Sequence, residues 1–344
     1  MFNGSDHERV VVVHDAASGL RAIVAVHSTA LGPAVGGLRM KPYPDLDAAV
    51  VDALRLSRAM SLKNACAGLG LGGGKAVIVD DGAVGRRSQR LLAFADALES
   101  LDGMYYTAED VGTSPADMDL IASRTRYVLG VSPDNGGSGD PSPTTARTVL
   151  EAIREGVRSR LGRDGLDGVR VAIAGTGKVG SALAAGLAAE GAELVLADRE
   201  HDRARALGEA LGARVVAADR VLEEDVDVFA PCAMGEVIDA ELAAELRCSV
   251  VAGAANNPLV DRDAAVALEA NQILYVPDFL ANCGGMITIA AEYRRAGGEF
   301  VEEAIAAAAA RLRLVLEEAR DTGRLPIDVA LDHAQQVIGS WQRR

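Results

Sequence analysis

Only four of the 35 basic residues are lysines: Lys41, Lys63, Lys75 and Lys178. Arginine carries the rest of the positive charge, a bias that has no function by itself. It leaves the lysines as candidates for work that arginine cannot do. A guanidinium does not give up its proton in a protein, whereas a lysine shifts its pKa and can act as base or nucleophile. Lys63 and Lys75 stand 12 residues apart across the run Gly68-Leu69-Gly70-Leu71-Gly72-Gly73-Gly74. A glycine-rich loop lets the chain fold back, so that both ammonium groups could face one site. Two neighbouring cations lower each other's pKa and burial lowers it further, which is how a lysine becomes a base near neutrality. The spacing equally admits a strand-flanking lysine that reaches solvent. A phosphate loop of the form GxxxxGK[ST] is excluded, because Ala76 follows Lys75.

A second group of residues suits a dinucleotide. Gly175-Thr176-Gly177-Lys178-Val179-Gly180 follows an apolar run at 169–174 and opens a helical pattern. Asp198 ends the next apolar run, 18 residues beyond Gly180. In that context Gly175 allows a tight turn, Gly177 lets a pyrophosphate approach the backbone, and Gly180 lets the helix pack on the sheet. The helix N-terminus supplies free N–H groups for the phosphates. Asp198 is expected to accept from the ribose hydroxyls and repel a 2′-phosphate, favouring NAD. Arg199 beside it could instead accommodate the phosphate of NADP.

The elements that must hold these groups follow from the apolar spacing. Residues 10–14 and 22–27 read as strands, 45–60 as a helix capped by Asp45, and 76–79 as a buried strand. Residues 89–101 read as a helix, 105–108 as a short strand, and 115–123 as a helix capped by Ser114. The stretch 135–143 is dense in Gly, Ser, Asp and Pro and is the candidate hinge. Beyond it, 144–160 is helical. Strands at 169–174, 193–197, 214–216, 226–229, 249–252 and 273–276 then supply the six that a doubly wound nucleotide domain needs. Residues 300–320 and 327–340 close the chain as helices. The expected fold is α/β with two domains. An N-terminal α/β catalytic domain covers 1–143 plus a C-terminal helix at about 321–344, and a Rossmann dinucleotide-binding domain covers 144–320.

Composition narrows the function class. With 344 residues, 49% hydrophobic and 24% charged, the chain suits a soluble two-domain enzyme. A net charge of −14 disfavours a nucleic-acid surface. No stretch approaches the roughly 18 apolar residues of a membrane span, and the polar, acidic start lacks the features of a signal peptide. A cytoplasmic protein is expected. Cys66, Cys232, Cys248 and Cys283 have neither zinc nor disulfide spacing, and the five histidines have no spaced partners. No metal is therefore expected.

The motifs resemble those of the leucine, valine and phenylalanine dehydrogenases, within the wider glutamate dehydrogenase superfamily. The match runs from Leu31-Gly32-Pro33-Ala34-Val35-Gly36-Gly37-Leu38-Arg39-Met40 through both lysine segments to Glu109-Asp110-Val111-Gly112-Thr113. It continues through Pro141-Ser142-Pro143-Thr144 and Phe229-Ala230-Pro231-Cys232-Ala233-Met234-Gly235. Gly253-Ala254-Ala255-Asn256-Asn257 and Tyr275-Val276-Pro277-Asp278-Phe279 complete it.

The resemblance implies NAD-dependent, reversible oxidative deamination of an L-amino acid to a 2-oxo acid and ammonia, by a homo-oligomer. It implies that Lys75 is the base that activates water and that Asp110 handles protons at the amino group. Lys63, the backbone of Gly36 and Gly37, and Asn257 would hold the α-carboxylate, while Asn256 falls to the cofactor. Val35, Ala108, Met286 and Ile289 would line the side-chain pocket. All four are apolar, so Leu, Val or Ile is expected before Phe, and acidic substrates last. Three departures stand out. Leu38 replaces a common Thr or Ala, Cys283 a usual Ala, and the short end after Trp341 argues against a family-typical octamer. The rival readings are a shikimate-type enzyme with a Lys/Asp pair and a non-catalytic NAD-binding regulator. The motif match opposes the first, and the presence of both Lys75 and Asp110 opposes the second.

Overall fold

The computed structural model describes residues 6–342 except Val84 and Met234, with only the backbone described at 340–342. Met234 of the Phe229–Gly235 motif and the side chain of Trp341 thus lie outside the described residues. The chain divides into two compact units: Met1–Gly139 with Thr288–Phe300 and Ala334–Arg344, and Asp140–Ile287 with Val301–His333.

The first unit is a mixed sheet with helices on both faces. Its elements are β1 (Arg9–Asp15), β2 (Leu20–Ser28), β3 (Ala34–Lys41), α1 (Leu46–Ala67), β4 (Gly72–Val79), α2 (Arg87–Glu99), β5 (Tyr105–Glu109) and α3 (Pro115–Ala122). The sheet order is β1-β2-β4-β3-β5. Strands β1, β2 and β4 pair antiparallel, whereas β3 runs parallel to β4 and β5. Period-two alternation divides the core. Leu38, Met40, Ala76 and Ile78 face Phe94 and Leu98 of α2, while Ala25, Val77 and Val79 face Ala49, Val50 and Ala53 of α1. Asp45 caps α1 by accepting from the Ala48 amide at 2.7 Å, an arrangement worth about 1 kcal/mol. Ser114 and Asp117 form a reciprocal capping box on α3.

Two sequence expectations need correcting here. Helix α1 runs on to Ala67 and places Lys63 on a helix. Gly72-Gly73-Gly74-Lys75 is not a loop but the first half of β4, buried throughout. Packing explains those glycines. A Cβ on Gly73 would overlap the backbone of Ser61 in α1, and one on Gly74 would sit 2.6 Å from the Tyr105 ring.

The second unit contains α4 (Ser142–Leu161), β6 (Arg170–Ala174), α5 (Lys178–Ala189), β7 (Glu193–Ala197), α6 (His201–Leu211), β8 (Arg214–Val215) and β9 (Val228–Pro231). It continues with α7 (Ala240–Glu245), β10 (Val250–Val251), α8 (Arg262–Ala270), β11 (Leu274–Tyr275) and α9 (Asp278–Ala281). Helices α10 (Gly284–Arg294), α11 (Gly298–Thr322) and α12 (Pro326–Gln342) end the chain. The sheet order is β11-β10-β9-β6-β7-β8, every pair parallel. That order is the doubly wound one, and its switch point lies between β6 and β9, where such sheets place a ligand beyond the strand ends. Among the described residues no helix is long and apolar enough to cross a membrane.

Candidate active site

In the first unit the expected catalytic pair is assembled. Lys75 Nζ lies 2.8 Å from Asp110 Oδ2. Lys75 comes from the middle of β4, and Asp110 from the residue that follows β5. Strand β3 lies between them, with Gly37 directly opposite Ala108. Gly37 must be glycine: a Cβ there would stand 2.6 Å from Asp110 Cβ and 3.3 Å from Lys75 Nζ. The β3–β4 ladder pairs Val35 with Gly73 and Leu38 with Ala76 but skips Gly36 and Gly37. On its other side the glycine pair is held by β5, with Gly36 opposite Thr107 and Gly37 opposite Ala108, and the Tyr105 hydroxyl donates to Gly36 O at 2.6 Å.

Burial and charge set the protonation. The Lys75 side chain is 6% exposed. Desolvation pushes its amine below the ordinary lysine value and the nearby Arg39 adds to this, with Asp110 and Asp52 opposing. Burial pushes Asp110 up, but Lys75 and Arg39 outweigh it and hold the carboxyl below the ordinary range. Arg39, which carried no role in the sequence reading, donates from Nε to the same Asp110 oxygen at 2.9 Å. Its signal was its position two residues after Gly37, on the same face of a strand.

The other assigned residues of this unit fall into two places. Lys63 is half-buried in the last turns of α1. Val35 is fully buried on β3, opposite Tyr106. Ala108 and Ile289 converge on Gly130, whose Cβ position lies 3.9 Å from Ala108 Cβ and 3.6 Å from Ile289 Cδ1. One turn beyond Ile289, Glu292 accepts from the Gly130 amide at 2.8 Å and the Ser138 amide at 3.0 Å, tying that loop to α10. Tyr106 packs edge-on against Tyr127 and Tyr293. Gly130 and Glu292 were missed in the sequence, since neither lies in a quoted motif.

In the second unit the glycine turn is built as a cradle. Gly175 has φ +109, and a Cβ on it would stand 2.8 Å from the Ala233 amide nitrogen beyond β9. A Cβ on Gly180 would overlap the Gly175 carbonyl, so both glycines are fixed by packing. Gly177 instead has open space where its Cβ would be, and no side chain caps the N-terminus of α5. Free helix amides beside a vacant approach fit a pyrophosphate. Thr176 is buried, and Lys178 opens the helix and points outward, 3.2 Å from Asp140, with Val179 following it. Asp198 Oδ2 accepts from Thr176 N at 2.6 Å, and Oδ1 from Glu200 N at 2.9 Å. Arg203 bonds both oxygens at 2.7 and 2.8 Å. These partners outweigh burial and hold the carboxyl at about 2. Arg199 is exposed. Arg203 is a further residue that sequence reading passed over.

Asn257 has φ +48, and its amide donates to Asp278 Oδ2 at 2.9 Å. Asn256 Oδ1 accepts from Asn282 at 3.0 Å. Met286 is half-buried near the start of α10.

A glycine turn shaped for a pyrophosphate and a buried lysine held on a carboxylate on one chain are compatible with a dehydrogenase. Comparison with known proteins says which kind. The family model described as the Glu/Leu/Phe/Val dehydrogenase dimerisation domain matches residues 7–127, and that of the Glutamate/Leucine/Phenylalanine/Valine dehydrogenases matches 196–308. The leucine dehydrogenase of Thermoactinomyces intermedius is 44% identical over 287 residues, 83% of this chain and 78% of that protein. The valine dehydrogenase of Streptomyces virginiae is 45% identical over 291 residues, covering 84% and 81%. The crystal structure of L-tryptophan dehydrogenase from Nostoc punctiforme superposes with a TM-score of 0.89 at 34% identity, covering 100% and 99%. The chain belongs to the Glu/Leu/Phe/Val dehydrogenase family, as an amino-acid dehydrogenase of the leucine and valine dehydrogenase type.

Proposed function

We propose that this enzyme oxidatively and reversibly deaminates a branched aliphatic L-amino acid (Leu, Val or Ile) to its 2-oxo acid and ammonia, with NAD as acceptor. The observation that carries the reading is the buried Lys75 amine, 2.8 Å from Asp110 and held below the ordinary lysine value. A neutral amine can take a proton from water as that water attacks the carbon of a substrate imine. The ionised Asp110 accepts a proton from the substrate ammonium. Lys63, with the backbone of Gly36 and Gly37, is assigned to the α-carboxylate, as is Asn257.

NAD, when bound at the Gly175–Gly180 turn, supplies the acceptor for the electrons of the Cα–H bond. Asp198 selects against a 2′-phosphate by its charge. A ribose hydroxyl joining it would exchange with the half-exposed Arg203 guanidinium. Val35, Ala108 and Ile289 offer a side-chain carboxylate no partner, and Met286 keeps its assignment to the same apolar selection. The match to a dimerisation domain supports a homo-oligomer.

The test is an amino-acid panel with NAD and with NADP, following nicotinamide reduction. Branched aliphatic substrates should lead, with NAD preferred. A panel in which glutamate exceeds leucine in kcat/KM would overturn the substrate assignment, and a preference for NADP would overturn the reading of Asp198.

A further inference from the structure

A buried Lys–Asp pair on its own holds its proton on the lysine. If Lys75 alone faced Asp110, releasing that proton would leave a carboxylate desolvated and without a cation, which is strongly unfavourable. The structure contains a second cation at this carboxylate. Asp110 Oδ2 receives both Lys75 Nζ at 2.8 Å and Arg39 Nε at 2.9 Å. Its Oδ1 accepts no hydrogen bond among the described residues. Arg39 is only 16% exposed and is anchored at its other end, where NH1 lies 3.2 Å from Asp52 Oδ2. Asp52, on α1, is itself fixed by the Tyr43 hydroxyl at 2.7 Å and Arg55 at 3.1 Å, with Lys41 at 3.7 Å.

We propose that Arg39 is a positioning residue for the deamination: it pins one Asp110 oxygen and stays there as the counter-charge, so that Lys75 can release its proton. The inference rests on the roles proposed above for Lys75 and Asp110. It adds a reason for the fork geometry. Arginine can span two carboxylates with separate nitrogens, which a lysine ammonium at this position cannot. It also leaves Oδ1 as the oxygen that meets the substrate's amino group. The charged and titratable groups around Lys75 are Arg39 from β3, Asp110 after β5 and Asp52 from α1, with Tyr43 behind Asp52.

The experiment is the pH dependence of kcat/KM for L-leucine oxidation in Arg39→Gln, Arg39→Lys and Asp52→Asn. In Arg39→Gln, Lys75 loses a repelling cation and Asp110 a neutralising one, so both pKa values rise. The acid limb should move up by about one pH unit. At a pH below the limb, kcat/KM should fall roughly tenfold with it. Arg39→Lys keeps the charge without the span. Its limb should stay near that of the wild type while kcat falls. In Asp52→Asn the cation is kept and an anion is lost, so the limb should hold or drop slightly. An acid limb in Arg39→Gln that coincides with the wild type overturns the inference, as does a rise of the limb in Asp52→Asn should Arg39→Gln fail to fold. A wild-type enzyme inactive on every amino acid would instead overturn the proposed function itself.

Discussion

Replacing Gly37 by alanine tests the site at its narrowest point. The added Cβ would stand 2.6 Å from Asp110 Cβ, 2.8 Å from the Glu109 carbonyl oxygen and 3.3 Å from Lys75 Nζ. Relaxed non-bonded contacts lie near 3.5–4.0 Å, so the first two must open by roughly 1 Å. Neither is the tip of a flexible side chain. Glu109 O is backbone, and Asp110 Cβ is bonded directly to it. Strands β3 and β5 are hydrogen-bonded at this point, Gly37 opposite Ala108, so the strain falls on the ladder that sets the Lys75–Asp110 distance. Overpacking of this kind costs about 1–3 kcal/mol of stability. A displacement of about 1 Å at reacting groups costs on the order of 100-fold in rate. Gly37→Ala should therefore fold with a lowered Tm and lose about 100-fold in kcat/KM for L-leucine. Its Kd for NAD should be unchanged, because the glycine cradle belongs to the other unit. Gly297→Ala, with open space at its Cβ and no left-handed φ, is the silent control. Activity of Gly37→Ala within threefold of the wild type would refute the assignment of the Gly37 face to the chemistry.

Other outcomes follow from the same geometry. Lys75→Ala should lose most turnover and keep NAD affinity in a fluorescence titration, and Lys75→Arg should not restore it, because a guanidinium keeps its proton; near-normal activity in the arginine variant would remove Lys75 from the role. The acid limb of wild-type kcat/KM should fall below the ordinary lysine value of 10.5, since Lys75 works as the free amine and burial lowers it. Asp198→Ala should raise the NADP-to-NAD ratio of kcat/KM at least tenfold, roughly the effect of removing one charge repulsion and freeing Arg203 for a phosphate; an unchanged ratio would count against Asp198. Because Asp198 sits at about 2 when folded, below its unfolded value, it stabilises fully above about pH 4 and loses that contribution as pH falls toward 2. Asp198→Asn should flatten that segment of the acid-unfolding curve.

The second unit was legible almost strand by strand, and the first was not, for a physical reason. Parallel strands covered on both faces read as unbroken apolar runs, and most strands of the nucleotide domain announce themselves that way, the edge strand β8 excepted. Strand β3 reads Ala34-Val35-Gly36-Gly37-Leu38-Arg39-Met40-Lys41, where two glycines and two cations erase both the run and the alternation. Strand β4 opens on three glycines, a composition that signals a turn whenever the reason for small residues is hidden in tertiary packing. Here the reasons are Ser61 and Tyr105, one on α1 and one on β5. The Lys75–Asp110 pair was reached through motif resemblance, since 12 residues of spacing left a solvent-facing lysine equally open. Arg39 could only have been found by first recognising β3 as a strand, because its partner Asp110 lies 71 residues away. Asp198 was found from its spacing, but not the Arg203 that occupies it.

The scarcity of lysine drew attention to Lys75, but what sets that residue apart is its surroundings. Lys178 makes an ordinary exposed pair with Asp140, of a kind worth little, and Lys41 lies 3.7 Å from the largely buried Asp52. Arginine could serve there equally well. What separates Lys75 is its place in the interior of a sheet with a carboxylate and a second cation within 3 Å of one oxygen. In such a setting the charged form of the amine pays for lost hydration and for repulsion by Arg39, and recovers part of it from Asp110. The balance lowers the pKa of the amine, as the base proposed above requires. An arginine in the same place would remain a fixed cation, leaving two permanent charges on Asp110 and no acceptor for a proton. On the roles proposed above, that carboxylate takes one residue of each kind, a lysine to exchange the proton and an arginine to hold the charge while it does.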